Sequence, residues 1–354
     1  MKILFRADGN AIIGSGHVMR CLSIAEYASE HPDIEVLFVT SGSDFKKTIE
    51  ARGFRDIVLG TAYDCMDGEI ERFISVLSEA APDVVIIDSY CVTEKYFTVI
   101  QSFCNRTGAK VVYIDDMLCF AYSCDYILNY DILVGSLEQT YRRMYTEAGI
   151  SLPKLLLGPR FAPLRKEFSQ CKRSKIREAG KDILITTGGA DSYHVLLGLT
   201  DEIISRGDGK HIFHLIIGAC NPDSHDIRRK AETGSSIVVY ENITNMGEIM
   251  EKCDVAISAS GSTLFELCAT RTPSVIYTIA DNQLPGAKGF SKKGLMEYCG
   301  DIRDYSMNEM AKLVLDKALA LADNYEGRMM LFSAMKETVD GLGADRILTE
   351  ICRQ

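Results

Sequence analysis

The sequence predicts an α/β protein of two Rossmann-like, doubly wound parallel-sheet domains facing a cleft. Three observations predict it. Short β-branched runs alternate with longer amphipathic ones, the pattern of βα units. The alternation stops at a basic, proline-containing stretch and then restarts. At 354 residues, the chain exceeds what one hydrophobic core usually serves.

In the first series, 2–6 reads as a strand and 18–29 as a helix, with an apolar stripe at Val18, Cys21, Leu22, Ala25 and Ala28. Further strands are predicted at 35–40, 56–59, 84–88 and 110–115, with helices near 43–52, 68–80 and 93–107. Two short apolar pieces follow, 126–129 and 155–157. The segment GPRFAPLRKEFSQCKRSKIREAGK is rich in lysine and arginine and reads as a linker. The expected division is therefore a first domain over 1–160, a linker over 161–181 and a second domain over 182–354. Strands of the second series are predicted at 182–186, 211–217, 237–240, 255–258 and 274–278, followed by a helical tail from about 306. In doubly wound sheets, ligands bind beyond the carboxyl ends of strands.

Charge and composition narrow the function. Net charge is −10, which disfavours nucleic acid or an anionic membrane as a general partner. The N-terminal apolar stretch is too short for a secretory signal, and no run approaches the roughly 18 residues of a membrane span. The twelve cysteines include no C-x-x-C pair, which points to reduced thiols in a cytoplasmic protein and away from a zinc site.

The turn GSGHVMRC, 14–21, lacks the third glycine of a dinucleotide fingerprint, and no G-K-[ST] follows it. What remains is a flexible loop with Gly14 and Gly16, delivering His17 to a helix start. There the helix dipole favours a neutral imidazole, the form a general base needs. Capping or packing by His17 is the competing reading. Arg20, one turn on, is either an ion-pair partner of Asp8 or another strand-end carboxylate, or a substrate contact.

The stretch SASGSTLFE, 258–266, runs from a strand into a helix. Gly261 allows close backbone approach, and Ser262 and Thr263 offer N–H groups and hydroxyls to a phosphate. Glu266 has the spacing of a capping box with Thr263, or is a carboxylate for ribose hydroxyls. Asn282 and Gln283 end the next strand as further ligand contacts or as turn residues. In TTGGAD, Gly188 and Gly189 approach a diphosphate, or Asp191 caps the next helix. Together these residues read as a nucleoside diphosphate pocket.

The R-x-D-x5-G-x-GH-x-x-R-C pattern, LGPRFAPLR, TTGGAD and the SxSGSTLFE…DNQ block resemble one family over about residues 1 to 300. It is the UDP-2,4-diacetamido-2,4,6-trideoxy-β-L-altropyranose hydrolases of pseudaminic acid biosynthesis, grouped with spore-coat polysaccharide proteins. The resemblance implies a GT-B-like fold and UDP held by the second domain. It further implies metal-independent, cofactor-free hydrolysis with inversion at the anomeric carbon, with a histidine base at the position of His17. A GT-B glycosyltransferase, a non-catalytic nucleotide-sugar binding protein of surface-polysaccharide assembly, and a hydrolase with Mg²⁺ held by Asp8, Asp88, Asp115 and Asp116 are the alternatives.

Overall fold

A computed structural model describes the chain except Ala11, Lys172, Ala190, Asp208, Ser235 and Gln354. Ala11 and Ala190, in the first glycine loop and the TTGGAD turn, thus lie outside the described residues. The chain forms two compact units, Met1–Lys166 with Leu342–Gln354, and Glu167–Gly341.

The first unit holds seven strands: β1 (Lys2–Ala7), β2 (Glu35–Thr40), β3 (Arg55–Val58), β4 (Val84–Asp88), β5 (Lys110–Ile114), β6 (Tyr126–Asn129) and β7 (Lys154–Leu157). Their order is β3-β2-β1-β4-β5-β6-β7, and every neighbouring pair is parallel. Parallel strands are covered on both faces, so they read as continuous apolar runs. Accordingly, every residue of VVIID in β4 is buried. On one face Ile3, Phe5 and Ile86 pack with the helices Gly16–Ala28 and Gly343–Cys352. On the other, Leu4, Val85 and Ile87 pack with Phe73, Phe97 and Tyr141.

The second unit has six: β8 (Asp182–Thr186), β9 (Ile212–Ile216), β10 (Ile237–Tyr240), β11 (Val255–Ala259), β12 (Ser274–Thr278) and β13 (Glu297–Asp301). Their order is β10-β9-β8-β11-β12-β13, again all parallel. In each sheet the strand order reverses beside the first strand of its series, between β1 and β4 and between β8 and β11. That switch point is where such sheets bind ligands.

The boundary differs from the expected linker. Residues from Glu167 onward are tied to the second unit. The Glu167 carboxylate accepts the Met246 N–H at 3.0 Å. Arg173 donates to the Cys253 carbonyl at 2.8 Å, and Arg177 forks onto Asp254 at 2.8 and 2.6 Å. Arg173 and Arg177, two of the basic side chains that marked the linker, thus answer a carbonyl and a buried carboxylate of the second unit. At the other end, the final helix Gly343–Cys352 belongs to the first unit, not to the second as its sequence position suggested.

Candidate functional site

The site in the first unit grows from the end of β1. The loop that follows is bridged among its described residues. Asn10 and Gly14 exchange backbone hydrogen bonds at 3.2 and 2.9 Å, and the Asn10 side-chain oxygen accepts the N–H groups of Ile12 and Ile13 at 2.8 and 3.0 Å. Gly14 sits at φ +73, a left-handed conformation that suits glycine. The helix begins at Gly16, two residues earlier than predicted, so His17 lies inside its first turn. Ser15, at the N-cap, makes no side-chain bond.

His17 is buried, and its Nδ1 is 2.6 Å from Oδ1 of Asp88. Asp88 is the last residue of β4 and lies directly opposite Ala7 of β1. Strand adjacency therefore brings together two residues that lie 71 apart in sequence. In the tautomer that donates from Nδ1 to this carboxylate, the neutral ring carries its lone pair on Nε2. Among the described residues Nε2 takes no hydrogen bond. Tyr90 stands edge-on to the imidazole, with centroids 4.4 Å apart.

Arg20 completes the cluster. It contacts Asp88 through Nε and Nη2, each at 2.5 Å, and donates from Nη1 to Asp116 and the Tyr130 hydroxyl at 2.7 Å. The ion-pair reading of Arg20 is what the geometry shows, with Asp88 and Asp116 as partners rather than Asp8. Burial opposes ionisation of Asp88, but Arg20 and His17 outweigh it and hold the carboxyl well below the usual carboxylate range.

Asp8 serves a different network. The buried Arg6 is forked onto Glu69 at 2.7 and 2.6 Å and reaches Asp8 at 2.7 Å. The other Asp8 oxygen accepts the Ser41 N–H at 2.6 Å. Asp115 accepts the N–H groups of Met117 and Leu118 and the hydroxyls of Tyr122 and Tyr141. The four strand-end aspartates thus serve three separate networks. No three acidic, histidine or cysteine side chains among the described residues gather as a metal-binding group.

In the second unit, the turn after β8 places Gly188, at φ +85, and Gly189 at the surface. Asp191 is buried, and its carboxylate accepts the N–H groups of Val195 and Leu196 at 3.1 and 2.9 Å, capping the helix Val195–Arg206. Burial pushes this carboxyl up to about 6 despite those two donors. The loop after β11 leaves Gly261 and Ser262 exposed, with Thr263 partly so. Ser262 is the N-cap of the helix Thr263–Ala269 and makes no side-chain cap bond. Glu266 is therefore the fourth helical residue, and the capping box with Thr263 does not form. Among the described residues, neither the amides nor the hydroxyls of Ser262 and Thr263 donate a hydrogen bond. Gln283 closes its turn by accepting the Ile279 N–H at 3.0 Å, and Asn282 is exposed beside it.

No protein-family model matches the chain. Among solved structures, MurG of Acinetobacter baumannii superposes with a TM-score of 0.63 at 11% identity, over 99% of both chains. The fold is GT-B-like. In sequence, an uncharacterised protein of Methanocaldococcus jannaschii is 30% identical over 286 residues, covering 78% of this chain. That match spans only 55% of the archaeal protein. A protein of Campylobacter jejuni named UDP-2,4-diacetamido-2,4,6-trideoxy-β-L-altropyranose hydrolase is 23% identical over 297 residues, covering 83% of this chain and 97% of its own. The GT-B-like chain is thus a distant homologue of a protein named as a nucleotide-sugar hydrolase. No helix among its described residues is long and apolar enough to cross a membrane.

Proposed function

We propose that the protein hydrolyses a UDP-linked 2,4-diacetamido-2,4,6-trideoxy sugar at its anomeric carbon, releasing UDP and the free sugar for nonulosonic acid synthesis. The observation that carries this reading is the buried Asp88–His17 pair, whose Nε2 is left to accept a proton. In the proposed step, Nε2 takes a proton from water as the water oxygen bonds to C1. The C1–O bond breaks, its electron pair leaves on the UDP phosphate, and C1 inverts. UDP is a good leaving group, so one base and an anion cradle suffice, with no metal in any step.

The second unit supplies the cradle. The undonated amides and hydroxyls of Ser262 and Thr263 are suited to charge developing on a diphosphate. Gly188, Gly189 and Gly261 leave the backbone accessible, Glu266 takes the ribose hydroxyls, and Asn282 and Gln283 flank the nucleotide. Twelve free cysteines suit a reducing, cytoplasmic setting.

The deciding experiment incubates the protein with a panel of UDP-amino sugars and no acceptor, and scores released UDP. Release from a diacetamido-trideoxy donor supports the reading. Release only after adding a hydroxyl acceptor would make it a glycosyltransferase, and binding without turnover a carrier.

Glu266→Ala is expected to weaken UDP binding by about 10- to 100-fold, the worth of a charged hydrogen-bonding group. A melting curve accompanies the binding measurement, since Glu266 also has a partner within the fold. Unchanged affinity by calorimetry, with a lowered melting temperature, would return Glu266 to a structural role.

A further inference from the structure

Asp88 is shared between an imidazole and a guanidinium. Its Oδ1 lies 2.6 Å from His17 Nδ1 and 2.5 Å from Arg20 Nη2, and its Oδ2 lies 2.5 Å from Arg20 Nε, while Arg20 Nη2 itself stands 3.2 Å from His17 Nδ1. The guanidinium is itself held from two further loops. Asp116, after β5, and the Tyr130 hydroxyl, after β6, each accept from Nη1 at 2.7 Å, and the guanidinium carbon lies 5.7 Å from the Tyr130 ring centre. A planar fork held at both ends fixes a carboxylate better than a lysine point charge does.

A lone buried carboxylate against an imidazole does two things. It orients the ring, and it stabilises the protonated ring, which cannot act as a base. We propose that Arg20 is a positioning residue acting through Asp88: it locks the carboxylate that aims His17 and offsets its charge, so the ring is oriented without being held protonated. This rests on reading His17 as the base.

The groups facing the pair are Arg20 and Cys21 on its own helix, Tyr90 after β4, Asp116 after β5 and Tyr130 after β6. Burial raises the Cys21 thiol and the Tyr90 and Tyr130 hydroxyls, so all three stay neutral near pH 7. The charged groups in contact with His17 are then Asp88 and Arg20, with Asp116 behind Arg20. Without Arg20, the Asp88 carboxylate acts on the ring unopposed.

The test follows the histidine ring signals of the full chain by NMR across pH. Six histidines are present, and the His17 signal is the one missing in His17→Phe. In Arg20→Gln the His17 midpoint should move upward by about one pH unit or more, the usual effect of a change in neighbouring charge. The acid limb of the UDP-release profile should move up with it. Arg20→Lys keeps a charge without the fork and should show a smaller upward shift. A midpoint in Arg20→Gln that stays put or falls overturns the inference. Should Arg20→Gln lose its fold by circular dichroism, Arg20→Lys decides by the same criterion. The NMR arm needs no substrate, so it fails separately from the hydrolase reading, which fails if His17→Phe keeps wild-type UDP release.

Discussion

His17→Phe is expected to lower kcat for UDP release by about 10²–10⁴-fold, the usual cost of removing a general base. UDP affinity should stay near wild type, because the groups assigned to the nucleotide all belong to the second unit. The variant should also fold. Phenylalanine fills the imidazole's space beside Tyr90, and Asp88 keeps its two contacts from Arg20, so no buried charge is orphaned. Asp88→Ala would be a poorer probe, since it removes the carboxylate that both Arg20 and His17 share. Steady-state UDP release and calorimetric UDP binding separate the two effects. A kcat within a few-fold of wild type would remove His17 from the chemistry and leave the Asp88 pair as a structural feature.

The strands were legible because parallel strands buried on both faces leave unbroken apolar runs, as ILF in β1 and VVII in β4 do. The helix Val134–Ala148 was not foreseen. Its buried face is Leu137, Tyr141 and Tyr145, and tyrosines among charged residues give a weak apolar stripe. β13, EYCGD, was missed because a mostly polar edge strand ending in glycine and aspartate carries no apolar run. The place of His17 at a helix start was legible from the glycine turn before it, whereas its partner was not. Asp88 was visible only as one of several strand-end aspartates, and adjacency of β1 and β4 is a property of sheet order. Glu69, which answers the buried Arg6, gave no signal at all. It lies in a short 3-10 turn, Met66–Glu69, and only tertiary packing brings it to Arg6. Spacing could not decide the capping box either. Both Ser262 and Thr263 are good N-caps, and choosing the first moves Glu266 out of the box.

Removing residues 342–354 is expected to unfold the first unit while sparing the second. The final helix packs on the helix Gly16–Ala28 and contributes Ala344, Ile347, Leu348 and Ile351 to the first core, all buried. Burying each large side chain contributes about 1.5–3 kcal/mol, so the three come to roughly 5–9 kcal/mol as an upper bound. That rivals the roughly 5–15 kcal/mol stability of a whole domain. The loss would also strip cover from Val18, Leu22 and Ala25 of the helix that carries His17 and Arg20. The fit is close at the start of this helix, where a Cβ on Gly343 would come within 2.1 Å of the Ala162 carbonyl oxygen. Hydrogen exchange resolved along the chain gives the readout, since it follows each unit separately. Protection should collapse in β1, β4 and the helix Gly16–Ala28 but persist in β8 and β11. A milder variant, Ile347→Ala, should cost about 2–5 kcal/mol and lower the melting temperature of the first unit only. Full protection of β1 and β4 in the truncated chain would mean that the sheet's own strands and its other helices suffice, and that the last helix is an accessory to the first core.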